Sequence, residues 1–278
     1  MLLRASLAFA ALWLSGCAAF DFDGNRDNLF ERAATRAWKR DIVEAKPGAL
    51  LALSRPAQPQ PAPLAVYIEG DGLAWLDRST VSANPTPNRP VALRLALADS
   101  SAALYLGRPC QYLDNARTAK CDPRYWTSHR YAPEVVEALS QAIDRYKAGA
   151  SRPVELIGYS GGGALAALIA ARRSDVVRIV TVAANVDLAA WTRVLGVDAM
   201  TASLDPAHET ERIAAIAQYH LAGEDDESVP PSVVRSYVAR SVVGGRRLVE
   251  VVPDYDHECC WHRDWTVRIA AIRTRLSP

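Results

Sequence analysis

The 278-residue chain lacks an excess of charge of either sign. Its formal net charge is +1, and acids and bases are mixed along its length. That excludes the basic stripe with which a nucleic-acid binder meets phosphates. No internal repeat and no heptad run occurs, so neither a solenoid nor a coiled coil is expected. Cysteine is scarce, five residues in all. Neither a CxxC nor an HxxxH spacing occurs, which leaves a zinc site without support. The apolar run near the N-terminus, Ala5 to Leu14, has ten residues, too few to cross a bilayer core of ~30 Å. What the chain does have is apolar bulk. Half of its residues are hydrophobic, enough for one large α/β domain.

The first residues read as an address. Met1-Leu2-Leu3-Arg4 carries a positive charge, the short apolar run follows, and Leu14-Ser15-Gly16-Cys17 comes next. A charged start, a short apolar run and small residues before a cut site form an export signal. Cysteine directly after Leu-Ser-Gly resembles the lipobox of bacterial lipoproteins. The resemblance implies a signal peptide over residues 1–16, cleavage before Cys17, and acyl chains on its sulfur and amino group. It places the protein in the bacterial envelope, held to the membrane by its N-terminal lipid. Alanine at position 18, rather than aspartate, implies the outer membrane, facing the periplasm, by analogy with enteric bacteria. An ordinary signal peptide with a cysteine nearby is the alternative. Export makes disulfides available to the other four cysteines, which allow three connectivities. Cys259 and Cys260 are adjacent, ~3.8 Å apart across a trans peptide, closer than a disulfide usually spans. Cys110–Cys121 closes a short loop and is the preferred pair; pairing of either with Cys259 or Cys260 stays open.

Along the chain, residues 17–39 are polar and mixed, a tether followed by a helical stretch. Two early strands, Arg40 to Ala45 and Ala49 to Ser54, flank Pro47-Gly48. Gln58 to Pro63 is a proline-rich turn. Apolar runs at Leu64 to Glu69, Ala102 to Leu106, Val154 to Tyr159, Val176 to Ala183, Ile216 to Ala222 and Arg247 to Val252 predict strands. Helices are expected over Pro90 to Ala98, Pro133 to Lys147, Gly161 to Arg173 and Trp265 to Leu276. The second of these sets Val135, Val136, Leu139, Ile143 and Tyr146 at helical spacing. Uniformly apolar strands alternating with helices mean a mostly parallel central sheet covered on both faces. In such sheets, ligands sit beyond the carboxyl ends of the strands.

Ser160 occupies one of those ends. The flanks Gly158-Tyr159-Ser160-Gly161-Gly162 form a G-x-S-x-G pattern between an apolar strand and an alanine-rich helix. A serine on a sharp strand-to-helix turn exposes its Oγ, and side chains two residues before and after it would collide with the turn. The alternative is a glycine-rich turn that binds phosphate or only packs tightly. A serine nucleophile needs a base and an orienting acid. The pattern resembles the nucleophile elbow of the α/β-hydrolases, whose order is serine, acid, histidine. The resemblance covers the chain from about Arg40 to its end and implies a single domain of α/β-hydrolase fold over residues 40–278. Gly223-Glu224-Asp225-Asp226-Glu227-Ser228-Val229-Pro230 looks like the family's acid turn and makes Asp226 the acid, with Asp225 the runner-up. A solvated acidic loop is the alternative there. His257, after the last expected strand and 31 residues beyond Asp226, fits the histidine position; His262 is the other choice. His220 is expected in a buried strand, and His129 and His208 in exposed segments. Oxyanion donors are expected from the backbone N–H groups of Gly161 and of Asp71, with Gly72 next. Many family members begin the Asp71 loop with His-Gly; this chain has Glu69-Gly70. A carboxylate at Asp71 must turn away or be paired if the loop is to hold an oxyanion.

The resemblance implies a serine hydrolase that forms an acyl-enzyme, with no cofactor and no metal. The expected substrate is a small-molecule or lipid-like acyl compound, most simply a carboxylic ester, and no nucleic acid. Trp75, Leu76, Tyr125, Trp126 and Trp261 either line an apolar acyl site or fill the core. Asn84-Pro85-Thr86-Pro87-Asn88 is a rigid excursion, a candidate lid. Two further hypotheses stand: an acyltransferase with the same triad, and a non-catalytic envelope lipoprotein that uses the fold for binding. Oligomeric state is not legible.

Overall fold

In the computed structural model, the described residues are 25–56, 62–147, 149, 151–240 and 246–277. The export signal, Cys17 and residues 58–61 of the proline-rich stretch lie outside them. Helix α1 (Arg26–Thr35) opens the described chain, capped by the Asn25 side chain, which accepts from the Asp27 N–H at 2.9 Å. Strands β1 (Lys39–Val43) and β2 (Leu50–Ser54) form a hairpin, and β3 (Leu64–Ile68), helix α2 (Val91–Ala98) and β4 (Ala102–Leu106) follow. One helical turn, α3 (Asn115–Thr118), precedes the long helix α4 (Pro133–Tyr146). Strand β5 (Val154–Tyr159) turns into helix α5 (Gly161–Ala170), and strand β6 (Val176–Val182) leads to helix α6 (Leu188–Leu195). The chain ends with β7 (Ala217–Gly223), α7 (Pro231–Ala239), β8 (Arg247–Val252) and α8 (Trp265–Arg275).

The eight strands form one sheet in the order β1-β2-β4-β3-β5-β6-β7-β8. Strand β2 runs antiparallel to β1 and β4, and all other pairs are parallel. The two faces follow from the strand period of two. Leu64, Val66 and Ile68 of β3 point into a cluster with the apolar stripe of α4 and with α5. Ala65 and Tyr67 point the other way, among residues of α1, α2 and α8. Strands β3 and β5 are buried along their whole length, as a sheet covered on both faces requires. The fold is thus the mostly parallel sheet with helices on both faces that the sequence implies.

The helical stretch expected after the tether is α1, whose Leu29 and Ala33 are buried in the same cluster as α2 and α8. Two features differ from what the sequence led one to expect. Helix α6 was not expected, although Asp187 caps its start and Gly196 closes its end at φ 64°. Cys259 and Cys260 are bonded to each other, across a cis peptide, beside the expected Cys110–Cys121 pair.

Candidate active site

The strand–helix turn explains its own glycines. Ser160 sits at φ 50°, ψ −124°, outside both strand and helix conformations. This places α5 directly under the carboxyl end of β5. A Cβ at Gly158 would run into the Gly162 carbonyl, and one at Gly162 into the carbonyl of Ile68 on β3. A Cβ at Gly161 would strike the Asp71 carboxylate and the Tyr131 hydroxyl. The loop after β3 also comes close: a Cβ at Gly70 would lie 3.2 Å from the Ser160 Cβ. Small residues are therefore needed wherever this loop, the turn and the helix start converge.

The carboxyl ends of β5, β7 and β8 bring three side chains together. His257 Nε2 is 3.0 Å from Ser160 Oγ, and His257 Nδ1 is 2.9 Å from Asp226 Oδ2. Asp226 is fully buried at its side chain, and its Oδ1 accepts the N–H groups of Ser228 and Val229 at 2.9 and 2.7 Å. That leaves Oδ2 for the imidazole. The neighbouring carboxylate, Asp225, is exposed. The His257 loop is tied down at its carbonyl, which accepts from Tyr159 Oη at 3.2 Å and Trp261 Nε1 at 3.0 Å. His262 is half-buried five residues further on, at the start of the last turn before α8. His220 lies in β7 with Nδ1 against Thr181 Oγ1 at 2.8 Å, and burial, with Arg247 adding to it, pushes its pKa down to about 3. It is a neutral core histidine. His208 is exposed; His129 is half-buried, with Nδ1 2.8 Å from Ser128 Oγ.

A pocket of about 380 Å3 opens over Ser160 and His257. Glu69, Gly70, Asp71, Gly72 and Leu73 form one side, with Pro87, Asn88 and Arg89 beside them and Glu258 on the histidine side. The 84–88 excursion is a wall of this pocket: Pro85, Thr86 and Pro87 are buried, and the Thr86 Oγ1 accepts the Tyr112 N–H at 2.7 Å. Trp126 and Trp261 are buried and fill the interior, whereas Trp75 and Leu76 are exposed and stand outside the pocket lining.

Two carboxylates in the β3 loop behave in opposite ways. Glu69 is buried and accepts the N–H groups of Gly70, Ala92 and Leu93 at 3.1, 3.2 and 3.3 Å. The last two are free donors in the first turn of α2, which has no side-chain cap of its own. Tyr105 Oη adds a fourth bond at 2.9 Å. Burial nevertheless pushes the Glu69 carboxyl up to about 7. Asp71 is paired, which meets the requirement stated from sequence. Arg108 Nη1 lies 2.8 Å from Oδ1 and Arg130 Nη1 2.6 Å from Oδ2, and Tyr131 Oη donates at 2.9 Å. Burial alone would raise this carboxyl, but Arg130 and Arg108 hold it down at about 2. These two arginines escaped the sequence reading. The need for a cation was visible at Asp71; its source, 37 and 59 residues away, was not. Gly161 is the first residue of α5, so its N–H has no acceptor within the helix. Among the described residues no group of His, Cys, Asp and Glu side chains is arranged to hold a metal ion.

No family model matches the chain, and no curated protein matches its sequence. Its shape is similar to several solved structures. The esterase domain of a Rhodothermus marinus protein is 13% identical, with a TM-score of 0.57 over 86% of this chain and 99% of that one. Est1E from Butyrivibrio proteoclasticus is 13% identical, with a TM-score of 0.57 over 85% and 97%. An α/β serine hydrolase homologue from Coxiella burnetii is 17% identical, with a TM-score of 0.56 over 86% and 97%. At these identities the likeness speaks for the fold alone, which is the α/β-hydrolase fold.

Proposed function

We propose that this chain is a serine hydrolase that cleaves a carboxylic ester through an acyl-enzyme. The observation that carries the reading is the unbroken chain from Ser160 Oγ through the His257 ring to the Asp226 carboxylate, 3.0 and 2.9 Å long, at the floor of a pocket. With its proton on Nδ1, facing Asp226, the imidazole leaves Nε2 to accept the serine proton. Ser160 Oγ attacks the acyl carbon as that proton moves to Nε2. The bond to the leaving oxygen then breaks, and the same proton goes to that oxygen. Water gives a proton to His257 and attacks the acyl-enzyme, the bond to Ser160 Oγ breaks, and Oγ takes that proton back as the acid leaves. Charge building on the carbonyl oxygen is met by the N–H groups of Gly161 and Asp71, each worth ~3 kcal/mol of barrier. The carboxylate of Asp71 does not oppose that charge, because two arginines neutralise it.

Three points favour ester hydrolysis. The fold is shared with proteins named as esterases. The charged residues at the pocket mouth, Arg89 and Glu258, are of opposite sign and 3.7 Å apart, leaving little net field to select an ionic side chain. The His257 side chain is 22% exposed, so water can reach it. The lipobox supports a place in the envelope, anchored through Cys17 on the periplasmic side of the outer membrane. Labelling with a fluorophosphonate probe tests the reaction. Wild type should label and Ser160→Ala should not; label persisting in the variant would refute the assignment of Ser160.

A further inference from the structure

Four of the large apolar side chains left in water fall within residues 73–81: Leu73, Trp75 at 41% exposure, Leu76 at 61% and Val81. They belong to a hairpin that is braced. Trp75 and Val81 pair in an antiparallel bridge, and the Leu76 N–H donates to the Thr80 carbonyl at 2.8 Å. Asp77 Oδ1 accepts from the N–H groups of Ser79 and Thr80, each at 2.8 Å, which tightens the turn. At the root, the Leu73 N–H donates to the Pro85 carbonyl and the Ser82 N–H to the Ala74 carbonyl, both at 3.0 Å. Ala74 is buried against Cys110 and Trp126, beside the Cys110–Cys121 bond. A stiff hairpin that holds tryptophan and leucine in solvent calls for an occupant.

The entry point of the chain identifies one. Leu73, at the hairpin root, and Asn88 both border the pocket. The Arg26 N–H donates to the Asn88 carbonyl at 3.0 Å, so the chain enters the fold on the pocket rim. Cys17 lies eight residues before Asn25, a reach of at most about 29 Å even when fully extended. Lipid on Cys17 therefore keeps this rim close to a bilayer.

We propose that the 73–81 hairpin docks into the interfacial layer of the membrane that holds Cys17, so that the Ser160 pocket opens towards lipid and takes acyl esters presented at that surface. The inference rests on the anchor and on the hydrolase reading above. The acyl chains supply affinity, and the short tether supplies a high local concentration. Trp75, an amphipathic ring suited to the headgroup layer, and Leu76 set the orientation.

The test uses the full chain with its N-terminal modification, reconstituted in phosphatidylcholine–phosphatidylglycerol vesicles with brominated acyl chains. Trp38, Trp126, Trp261 and Trp265 are buried and out of reach of bromine, and Trp191 on α6 is half-buried, so the part of the tryptophan quenching that Trp75→Ser removes is the part that reports on the hairpin. Quenching should be present in wild type and fall by more than half in Trp75→Ser. Hydrolysis of an ester carried in the vesicles should fall about tenfold in the Trp75→Ser/Leu76→Ser double variant, while a short water-soluble ester is cleaved as before. Equal quenching in wild type and Trp75→Ser overturns the docking. So does a wild type that self-associates through this surface and is protected from bromine until the double substitution separates it. Ser160→Ala should keep the quenching. Quenching without any ester cleavage in wild type therefore counts against the hydrolase reading and leaves the docking in place.

Discussion

At the scale of single residues, the site is built by giving each carboxylate one environment. Asp226 has one oxygen occupied by two backbone N–H groups and the other by His257, so it can orient the imidazole and support its charged form. Asp226→Asn should lower kcat by on the order of 10⁴ by favouring the wrong tautomer. Asp225→Asn, at an exposed position, should leave kcat within about twofold; equal losses in the two variants would contradict the assignment. Glu69 makes a prediction of different sign. Its carboxyl is raised from an ordinary 4.5 to about 7, so between those pH values the folded protein holds a proton that the unfolded chain has lost. Stability from this group is complete below about 4.5 and fades as pH rises to about 7, a loss of up to roughly 3 kcal/mol. Thermal unfolding of wild type and Glu69→Gln at pH 5 and pH 8 measures it. Relative to the variant, wild type should be less stable at pH 8 than at pH 5, and parallel curves would dismiss the idea. Much of this site was legible in sequence because strand ends, turn glycines and the order of the three residues are local features. The arginines on Asp71 and the donors on Glu69 were not, because they come from other elements and no spacing announces them.

At the scale of elements, the strand–helix turn works because backbone meets backbone where side chains are missing. Gly162 makes this measurable. Its neighbour is the Ile68 carbonyl of β3, which cannot rotate away as a side chain can. Gly162→Ala should therefore push α5 off the sheet, costing about 1–3 kcal/mol and slowing probe labelling of Ser160. Urea unfolding together with the labelling rate checks both, and a variant with the midpoint and rate of wild type would show that the contact has slack. The parallel strands were legible because β3, apolar throughout, and β5, apolar but for Glu155, each follow a proline and lead into a glycine-bearing turn, which leaves few other readings. Helix α6 was missed for a physical reason. Its eight residues carry Trp191, Thr192 and Val194, weak helix formers, and the helix stands on contacts from outside itself. Trp191 Nε1 donates to the Ser228 carbonyl in the acid turn, and Asp205 Oδ1 accepts the Leu188 N–H. The helix's local signals, the Asp187 cap, the Gly196 stop and one apolar side, span only two turns and are easily read as a loop.

At the scale of the whole molecule, the length of the tether decides how freely the site can turn. The sequence places a tether followed by a helical stretch over residues 17–39, with no boundary between the two. The structure folds α1 onto the sheet through Leu29 and Ala33, which leaves only residues 17–24 ahead of the Asn25 cap. Among the described residues no helix is long and apolar enough to cross a membrane. On the proposal that Cys17 carries lipid, that anchor rather than the small 73–81 hairpin would hold the protein to the membrane. Cys17→Ser removes the proposed acceptor for lipid and leaves every described contact intact. Wild type should sediment with membranes and partition into a detergent phase, and the variant should appear in the aqueous phase with unchanged labelling of Ser160 by a soluble fluorophosphonate. Retention of Cys17→Ser in the membrane fraction at the wild-type level would show that something other than this cysteine holds the protein there.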